Sequence, residues 1–164
     1  MIGVKVCSRS RTAFPRGHPM LQFEGLGLAE AEKAIAAGID AAKRLGRPMA
    51  FAVADAGAET IASARMDGAH ARILRHSIRK AYTAATMGRH TLAFARDLKD
   101  RGGALDQWGD PLLTTLPGGL VVSHGSALVG AVGVGGGGPH DEEVARIMVA
   151  AMGFAVVEDS RTRA

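Results

Sequence analysis

The sequence has few of the residues that stabilise small secreted domains or hold structural metals. Only one of its 164 residues is a cysteine, Cys7, so the chain forms no internal disulfide and offers no CxxC pair. Aromatic residues are scarce at 4%, whereas glycine is abundant with 22 residues. We therefore expect close, backbone-rich packing, a cytoplasmic location and no dedicated metal site.

Long hydrophobic runs are also missing. No apolar stretch approaches the roughly 20 residues of a membrane span, so we expect no membrane partner. The net charge is +4, but residues 1–19 hold four basic residues and no acid, and the rest of the chain carries 16 of each sign. Because the excess charge lies in that tail, we expect no nucleic-acid partner. We predict a disordered tail at 1–19, a single domain at 20–157 and a short polar tail at 158–164.

Hydrophobic periodicity and turn residues predict two hairpins separated by helices. This order favours an α+β fold, an antiparallel sheet flanked by helices, over βαβ alternation. The segment between Asp100 and Gly119 is rich in Gly and Pro and is expected to be a cover or a binding edge. The predicted helices are Leu28 to Leu45, about Ala69 to Met87, about Leu92 to Lys99 and about Pro139 to Val157; the predicted strands are Met49 to Ala54, Glu59 to Met66, Leu120 to Ser123 and Ala127 to Val134.

A glycine run, GAVGVGGGGPHDEEVARI, contains a literal G-x-G-x-x-G at Gly133, Gly135 and Gly138. A dinucleotide-binding turn needs a following strand, and none is predicted after the last helix. That helix also begins with carboxylates, including Asp141, which would repel a diphosphate. We therefore expect no nucleotide cofactor. Two interpretations stay open: a tight turn that packs closely on a neighbour, or a backbone surface against a flat ligand or a partner subunit.

The second helix carries a polar stripe, because His76, Lys80 and Thr83 follow i, i+4, i+7 spacing. Three arginines at positions 72, 75 and 79 lie beside the stripe. One interpretation is a solvated basic face. The other is an anion site for carboxylates, with Lys80 as a point charge and Arg as a bidentate partner. Lys80 is the strongest candidate, because the helix should turn inward there.

Several segments, taken in order, resemble one family. They are LAEAEKAI, AVADAGAE, ARMDGA, RKAYTAATMGRHT, LPGG and ALVGAVGVGGGGPHDEEVARI. Together they look like the GlcG/HbpS-like family, which also includes the C-terminal domain of PduO-type proteins. The resemblance implies a profilin-like α+β fold, assembly into homo-oligomers and binding of haem or a corrinoid. Some members of that family are extracellular redox-sensing partners of signalling systems, and others are encoded with glycolate- or diol-utilisation genes.

The resemblance also implies where a ligand binds. The sequence departs from the family pattern at Leu120-Val121-Val122, where a Val-Pro pair is usual, and at Gly135 and Gly137, which flank a position where Ser is common. The candidate ligand-binding residues are Asp55, Met66, Asp67, His76, Lys80, Thr83, Gly118, Gly119, Gly133, Gly135, Gly136 and Asp141.

The favoured function is a small-ligand-binding accessory protein for haem, a corrinoid or another anionic ligand. The alternatives are a structural assembly partner, or an enzyme acting on a small hydroxy- or oxo-carboxylate or an aldehyde, with Lys80 and His76 as acid–base residues. No motif selects an axial haem ligand. The candidates are His70, His76, His90, His124, His140, Met66, Met87 and Tyr82.

Overall fold

The computed structural model describes residues 24–157, which contain four α-helices and one four-stranded sheet. The predicted tails at 1–19 and 158–164 lie outside the described residues. The helices are α1 (Leu28–Arg44), α2 (Ala71–Met87), α3 (Thr91–Asp100) and α4 (Asp141–Ala151), and the strands are β1 (Ala50–Asp55), β2 (Thr60–Arg65), β3 (Gly119–His124) and β4 (Ala127–Gly135).

The sheet is antiparallel throughout, with strand order β2-β1-β4-β3. The two predicted hairpins, β1–β2 and β3–β4, are joined by pairing of their inner strands, with Ala50 opposite Gly135 and Asp55 opposite Gly130. This arrangement confirms the predicted α+β fold. The described segment has no helix with the length and apolarity that crossing a bilayer requires.

The two faces of the sheet carry different side chains because successive residues of a strand point to opposite sides. Phe51 and Val53 of β1 belong to a large apolar core with α1 and α4. Ala52 and Ala54 face α2 instead, where they meet Ala81. Small residues on this second face let α2 lie close to the sheet. The close contact between α2 and the sheet therefore accounts for part of the high alanine and glycine content of the sequence.

The last helix is shorter than predicted. The segment Gly138–His140 forms a 3₁₀ turn and α4 ends at Ala151, whereas the sequence predicted a helix from Pro139 to Val157. Gly153 adopts a φ of +87°, in the left-handed region that ends helices, and the amide of Phe154 donates back to the carbonyl of Val149. The apolar residues beyond Ala151 extended the periodic pattern without continuing the helix.

Candidate functional site

A cavity of about 490 Å³ opens where the end of β4 meets the first half of α2. Its remaining walls come from the connection before β1, from the stretch before β3 and from the start of α4. The volume lies in the range of small-molecule sites. It is lined by the basic residues Arg47, Arg72, His76 and Lys80, the apolar residues Ile73, Leu116 and Pro117, the glycines Gly135, Gly136 and Gly138, and Asp141.

A buried ion pair forms one wall of the cavity. Nζ of Lys80 donates to Oδ2 of Asp141 at 2.7 Å and to the carbonyl of Val134 at 2.6 Å. The other oxygen of Asp141, Oδ1, accepts the amide of Gly137 at 2.7 Å. Lys80 and Asp141 are only 4% and 6% exposed, so the solvated-face interpretation is wrong for Lys80. Removing one partner of such a pair costs about 3–5 kcal/mol, because the other charge stays buried.

Three of the predicted glycines allow close packing, two of them beside this pair and the third against the backbone of α2. A Cβ on Gly118, whose φ is +105°, would lie 2.7 Å from Cβ of Asp141. A Cβ on Gly119 would lie 2.4 Å from the carbonyl oxygen of Lys80, and one on Gly133 would lie 2.0 Å from that of Ser77. None of the three lines the cavity. The glycine run therefore combines both predicted features. Gly133 allows close contact between helix and sheet, and Gly135, Gly136 and Gly138 expose backbone to the cavity.

Thr83 is buried and holds the loop before β3. Its Oγ1 accepts the backbone N–H of Thr114 at 2.9 Å, about one turn of α2 beyond Lys80, and Thr83 does not line the cavity. The solvated-face interpretation is thus wrong for Thr83 as well, since none of its surface is exposed.

The three remaining predicted residues lie away from the cavity. Asp55 is the last residue of β1, at the end of the sheet away from Gly135 and Gly136. Its Oδ1 accepts the amide of Glu59 at 2.9 Å and closes the β1–β2 turn. Met66 packs against the large core, and Asp67 is exposed in the turn after β2. Of the predicted set, the cavity brings together His76, Lys80, Gly135, Gly136 and Asp141.

The cavity is also lined by residues outside the predicted ligand-binding set. Arg72 continues the stripe of α2 one turn before His76, so i, i+4 spacing contained the information needed to include it. Arg47 lies in the connection between α1 and β1, where no periodic pattern marks it, and its Nη1 donates to the carbonyl of Gly137 at 3.4 Å. Leu116 and Pro117 come from the segment expected to be a cover or binding edge, and they form one wall.

Two of the other candidate axial ligands, His90 and Tyr82, are engaged elsewhere. Nε2 of His90 bonds to the carbonyl of Val157 at 2.9 Å, and its Nδ1 accepts the amide of Val121 at 3.2 Å. The hydroxyl of Tyr82 donates to Oδ2 of Asp110 at 2.8 Å. That hydrogen bond and burial raise the pKa of Tyr82 above its ordinary value of 10.0. His76, by contrast, is half-buried at the cavity and makes no hydrogen bond or ion pair with residues 24–157.

Comparison with known families assigns the fold. The family model described as haem degrading protein HbpS-like matches residues 26–151. The chain belongs to the HbpS-like family. A search among curated proteins gave no significant match.

Solved structures agree with this HbpS-like assignment. A double mutant of HbpS from Streptomyces reticuli is 31% identical, with a TM-score of 0.75 over 87% of this chain and 97% of that one. A second HbpS structure is 33% identical, with a TM-score of 0.75 over 84% of this chain and 97% of its own. A PduOC:heme complex is 23% identical, with a TM-score of 0.73 over 82% of this chain and 99% of that one, and at this identity the likeness shows a shared fold.

Of the residues predicted to depart from the family pattern, some lie at the cavity and others do not. Leu120 and Val122 are buried in the large core, and the amide of Val121 is bonded to His90, so these residues do not line the cavity. Gly135 does line it, and Gly137 donates its amide to Asp141. Only the glycine departures are therefore in a position to change what the cavity accepts.

Proposed function

We propose that this HbpS-like protein is an accessory protein that binds a planar, anionic tetrapyrrole in the cavity between α2 and the glycine run. The observation that carries the proposal is the composition of the cavity walls. Glycine backbone and the apolar side chains of Ile73, Leu116 and Pro117 offer contact to a flat apolar ring, while Arg47 and Arg72 supply positive charge. These residues fit haem, whose ring is apolar and whose two peripheral carboxylates are negative.

Two similarities support haem as the ligand. The matching family model carries haem in its description, and the PduOC structure is a complex with heme. A corrinoid is the second tetrapyrrole to test. It has a comparable flat ring but carries mostly amides in place of carboxylates, so the two guanidinium groups favour haem.

We assign His76 as the residue that would hold the iron. A histidine that binds haem iron needs an unprotonated ring nitrogen that is not already occupied by a hydrogen bond. His76 meets this condition within residues 24–157, whereas both ring nitrogens of His90 are occupied. Bound haem supplies iron redox chemistry, and the protein contributes binding, orientation and exclusion of water.

Assembly into a homo-oligomer is part of the proposal. Trp108, Leu112 and Leu116 are 51%, 49% and 43% exposed, and all three lie in the segment before β3. Leu116 also lines the cavity, so a second copy on this surface would lie beside the ligand. Light scattering at micromolar concentration tests this, and a monomer would contradict it. A cytoplasmic location is also proposed, since the single cysteine offers no internal disulfide.

The catalytic alternative would use the same cavity for a small hydroxy- or oxo-carboxylate or an aldehyde. Lys80 is poorly suited to act as its base, because its ammonium group is held by Asp141 and Val134. His76 is the better placed acid–base group. Turnover of such substrates that disappears in His76→Ala would favour this alternative.

Titration of the purified protein with haemin and, separately, with hydroxocobalamin tests the proposal by absorbance. We expect saturable, stoichiometric haemin binding with a shifted Soret band. In His76→Ala the band should move and the affinity should fall by about tenfold or more, while His70→Ala serves as the matched control. His70 is exposed at the start of α2 and does not line the cavity. The proposal is overturned if neither haemin nor hydroxocobalamin binds saturably.

A further inference from the structure

The cavity contains two kinds of positive charge, and they differ in what they have available for a ligand. The ammonium of Lys80 is neutralised by Asp141 within the protein. Arg47 and Arg72 are exposed and have no acidic partner within residues 24–157. A carboxylate that approached Lys80 would have to displace a buried carboxylate already at 2.7 Å. A carboxylate that approached either arginine would meet no acidic side chain of residues 24–157 already paired with it.

The two arginines come from different elements and border one opening. Arg72 belongs to the first turn of α2, and Arg47 lies between Gly46 and Pro48 after α1. Among residues 24–157, the guanidinium of Arg47 has one hydrogen bond and no ion pair, and that bond is long, 3.4 Å from Nη1 to the carbonyl of Gly137. Most N–H groups of both guanidiniums thus face solvent. A guanidinium binds a carboxylate through two parallel hydrogen bonds, which an ammonium does not do.

The first turn of α2 adds to the positive field. It contains no acidic residue, and its N-cap, His70, makes no side-chain capping bond. The backbone N–H groups at a helix start carry partial positive charge, and an acidic residue would ordinarily offset it. Arg72 therefore stands where the helix itself already favours an anion.

From this arrangement we infer that Arg47 and Arg72 form a clamp for two carboxylates at the rim of the cavity, and that Lys80 does not contact them. The ligand class is then a flat apolar body with two carboxylates on one edge. The inference rests on the proposed function and specifies the part of the ligand that each residue recognises. Lys80 and Asp141 act as positioning residues, since they hold Val134 and Gly137 in the glycine run.

The test compares haemin with haemin dimethyl ester, in which both carboxylates are blocked. Affinities for wild type, Arg47→Ala, Arg72→Ala and the double variant are measured by absorbance titration and by calorimetry. Arg75→Ala is the matched control, because Arg75 is exposed on the same helix, does not line the cavity and has no partner within 24–157. Metal-free protoporphyrin and its dimethyl ester are titrated in parallel, so that carboxylate recognition is measured without the iron.

We expect wild type to bind the diacid at least about tenfold more tightly than the ester, as is typical when a charge-assisted hydrogen bond is lost. Arg47→Ala and Arg72→Ala should each weaken diacid binding by about tenfold and leave ester binding unchanged, and the double variant should lose most of the preference. Arg75→Ala should keep it. Arg72→Lys should restore only part of it, because the ammonium lacks the bidentate geometry.

Two outcomes would overturn the clamp while leaving the proposed function intact. In the first, wild type binds diacid and ester equally well. In the second, Arg75→Ala reduces the preference as much as Arg72→Ala does, which would mean that only the general positive field matters. If neither diacid nor ester binds, the proposed function itself fails, and the clamp fails with it.

Discussion

Nζ of Lys80 lies 2.7 Å from Oδ2 of Asp141, and this contact joins α2 to the start of α4 across the end of β4. The same ammonium bonds to the carbonyl of Val134, and the same carboxylate bonds to the amide of Gly137. The pair therefore fixes the course of the chain on both sides of Gly135 and Gly136. A residue pair chosen from the sequence for ligand binding thus has a structural role of its own.

Separating this pair should be costly. We expect Lys80→Met and Asp141→Asn each to lower the free energy of unfolding by about 3–5 kcal/mol, because each disrupts the buried ion pair and leaves one group without its partner. The double variant contains neither buried charge, and the carboxamide oxygen introduced by Asp141→Asn still accepts the amide of Gly137. Its loss should be clearly smaller than the sum of the single losses. Urea denaturation measures all three.

The control for this cycle is Asp40→Asn. Asp40 pairs with Lys43 at 3.8 Å on the surface of α1, with both side chains well exposed. Its loss should change the free energy of unfolding by less than about 1 kcal/mol. Strictly additive effects of the two buried substitutions would contradict the coupling of Lys80 and Asp141.

Thr83→Val tests whether Thr83 holds the loop before β3. Valine has the shape of threonine but cannot accept the amide of Thr114, which would stay buried without a partner. We expect the free energy of unfolding to fall by about 1–3 kcal/mol in urea denaturation. Thr60→Val, at an exposed position of β2, should be nearly neutral. An unchanged stability in Thr83→Val would argue against this role.

Gly133→Ala tests the close approach of α2 to β4. The added Cβ would lie 2.0 Å from the carbonyl of Ser77 and 2.6 Å from the amide nitrogen of Ala81, both of them backbone atoms of the helix. Since backbone cannot rotate aside, we expect a loss of more than about 3 kcal/mol, at the upper end of overpacking effects. Gly25→Ala is the control, because its Cβ would meet nothing closer than 3.9 Å. Thermal unfolding of both variants decides the matter, and similar midpoints would contradict the packing argument.

Tyr82 gives a prediction for alkaline pH. The pKa of Tyr82 is raised above 10.0 in the folded protein, chiefly by the hydrogen bond to Asp110 and secondly by burial. The folded state therefore retains this proton more strongly than the unfolded state. The resulting stability is fully present below about pH 10 and is lost as the pH rises through the folded pKa.

The chain has one tyrosine, so the ultraviolet absorbance of the phenolate reports this group alone. We expect its titration midpoint to move down towards the ordinary value in Asp110→Asn and to return there in the urea-unfolded protein. A midpoint that Asp110→Asn leaves in place would show that Asp110 is not the cause.

The elements of the fold were largely predictable because their signals are local. The hairpin strands follow from short apolar runs and the turn residues that bound them, and α2 follows from helical periodicity. The end of α4 was not predictable in the same way, since apolar residues such as Val156 contact the core from beyond the helix and imitate its period.

The site was predictable only where one element supplied it. His76 and Lys80 share a helix stripe, and Gly135, Gly136 and Asp141 belong to one continuous segment. Arg47 was missed because only the tertiary arrangement brings the α1–β1 connection to α2. The sequence correctly predicted that Lys80 points into the protein. Its ion pair with Asp141 could not be predicted from local patterns, because Asp141 lies 61 residues further along the chain.

The walls of the cavity come from four stretches of chain that are well separated in the sequence: Arg47, the first half of α2, Leu116–Pro117 and the glycine run with Asp141. An unfolded chain brings none of these stretches together, so any true ligand must bind the native state preferentially. Mass action then couples occupancy to folding, and a ligand at a hundred times its dissociation constant adds about 2.7 kcal/mol to the free energy of unfolding. The melting temperature of the protein thereby becomes a ligand detector that needs no prior assumption about colour, iron or turnover.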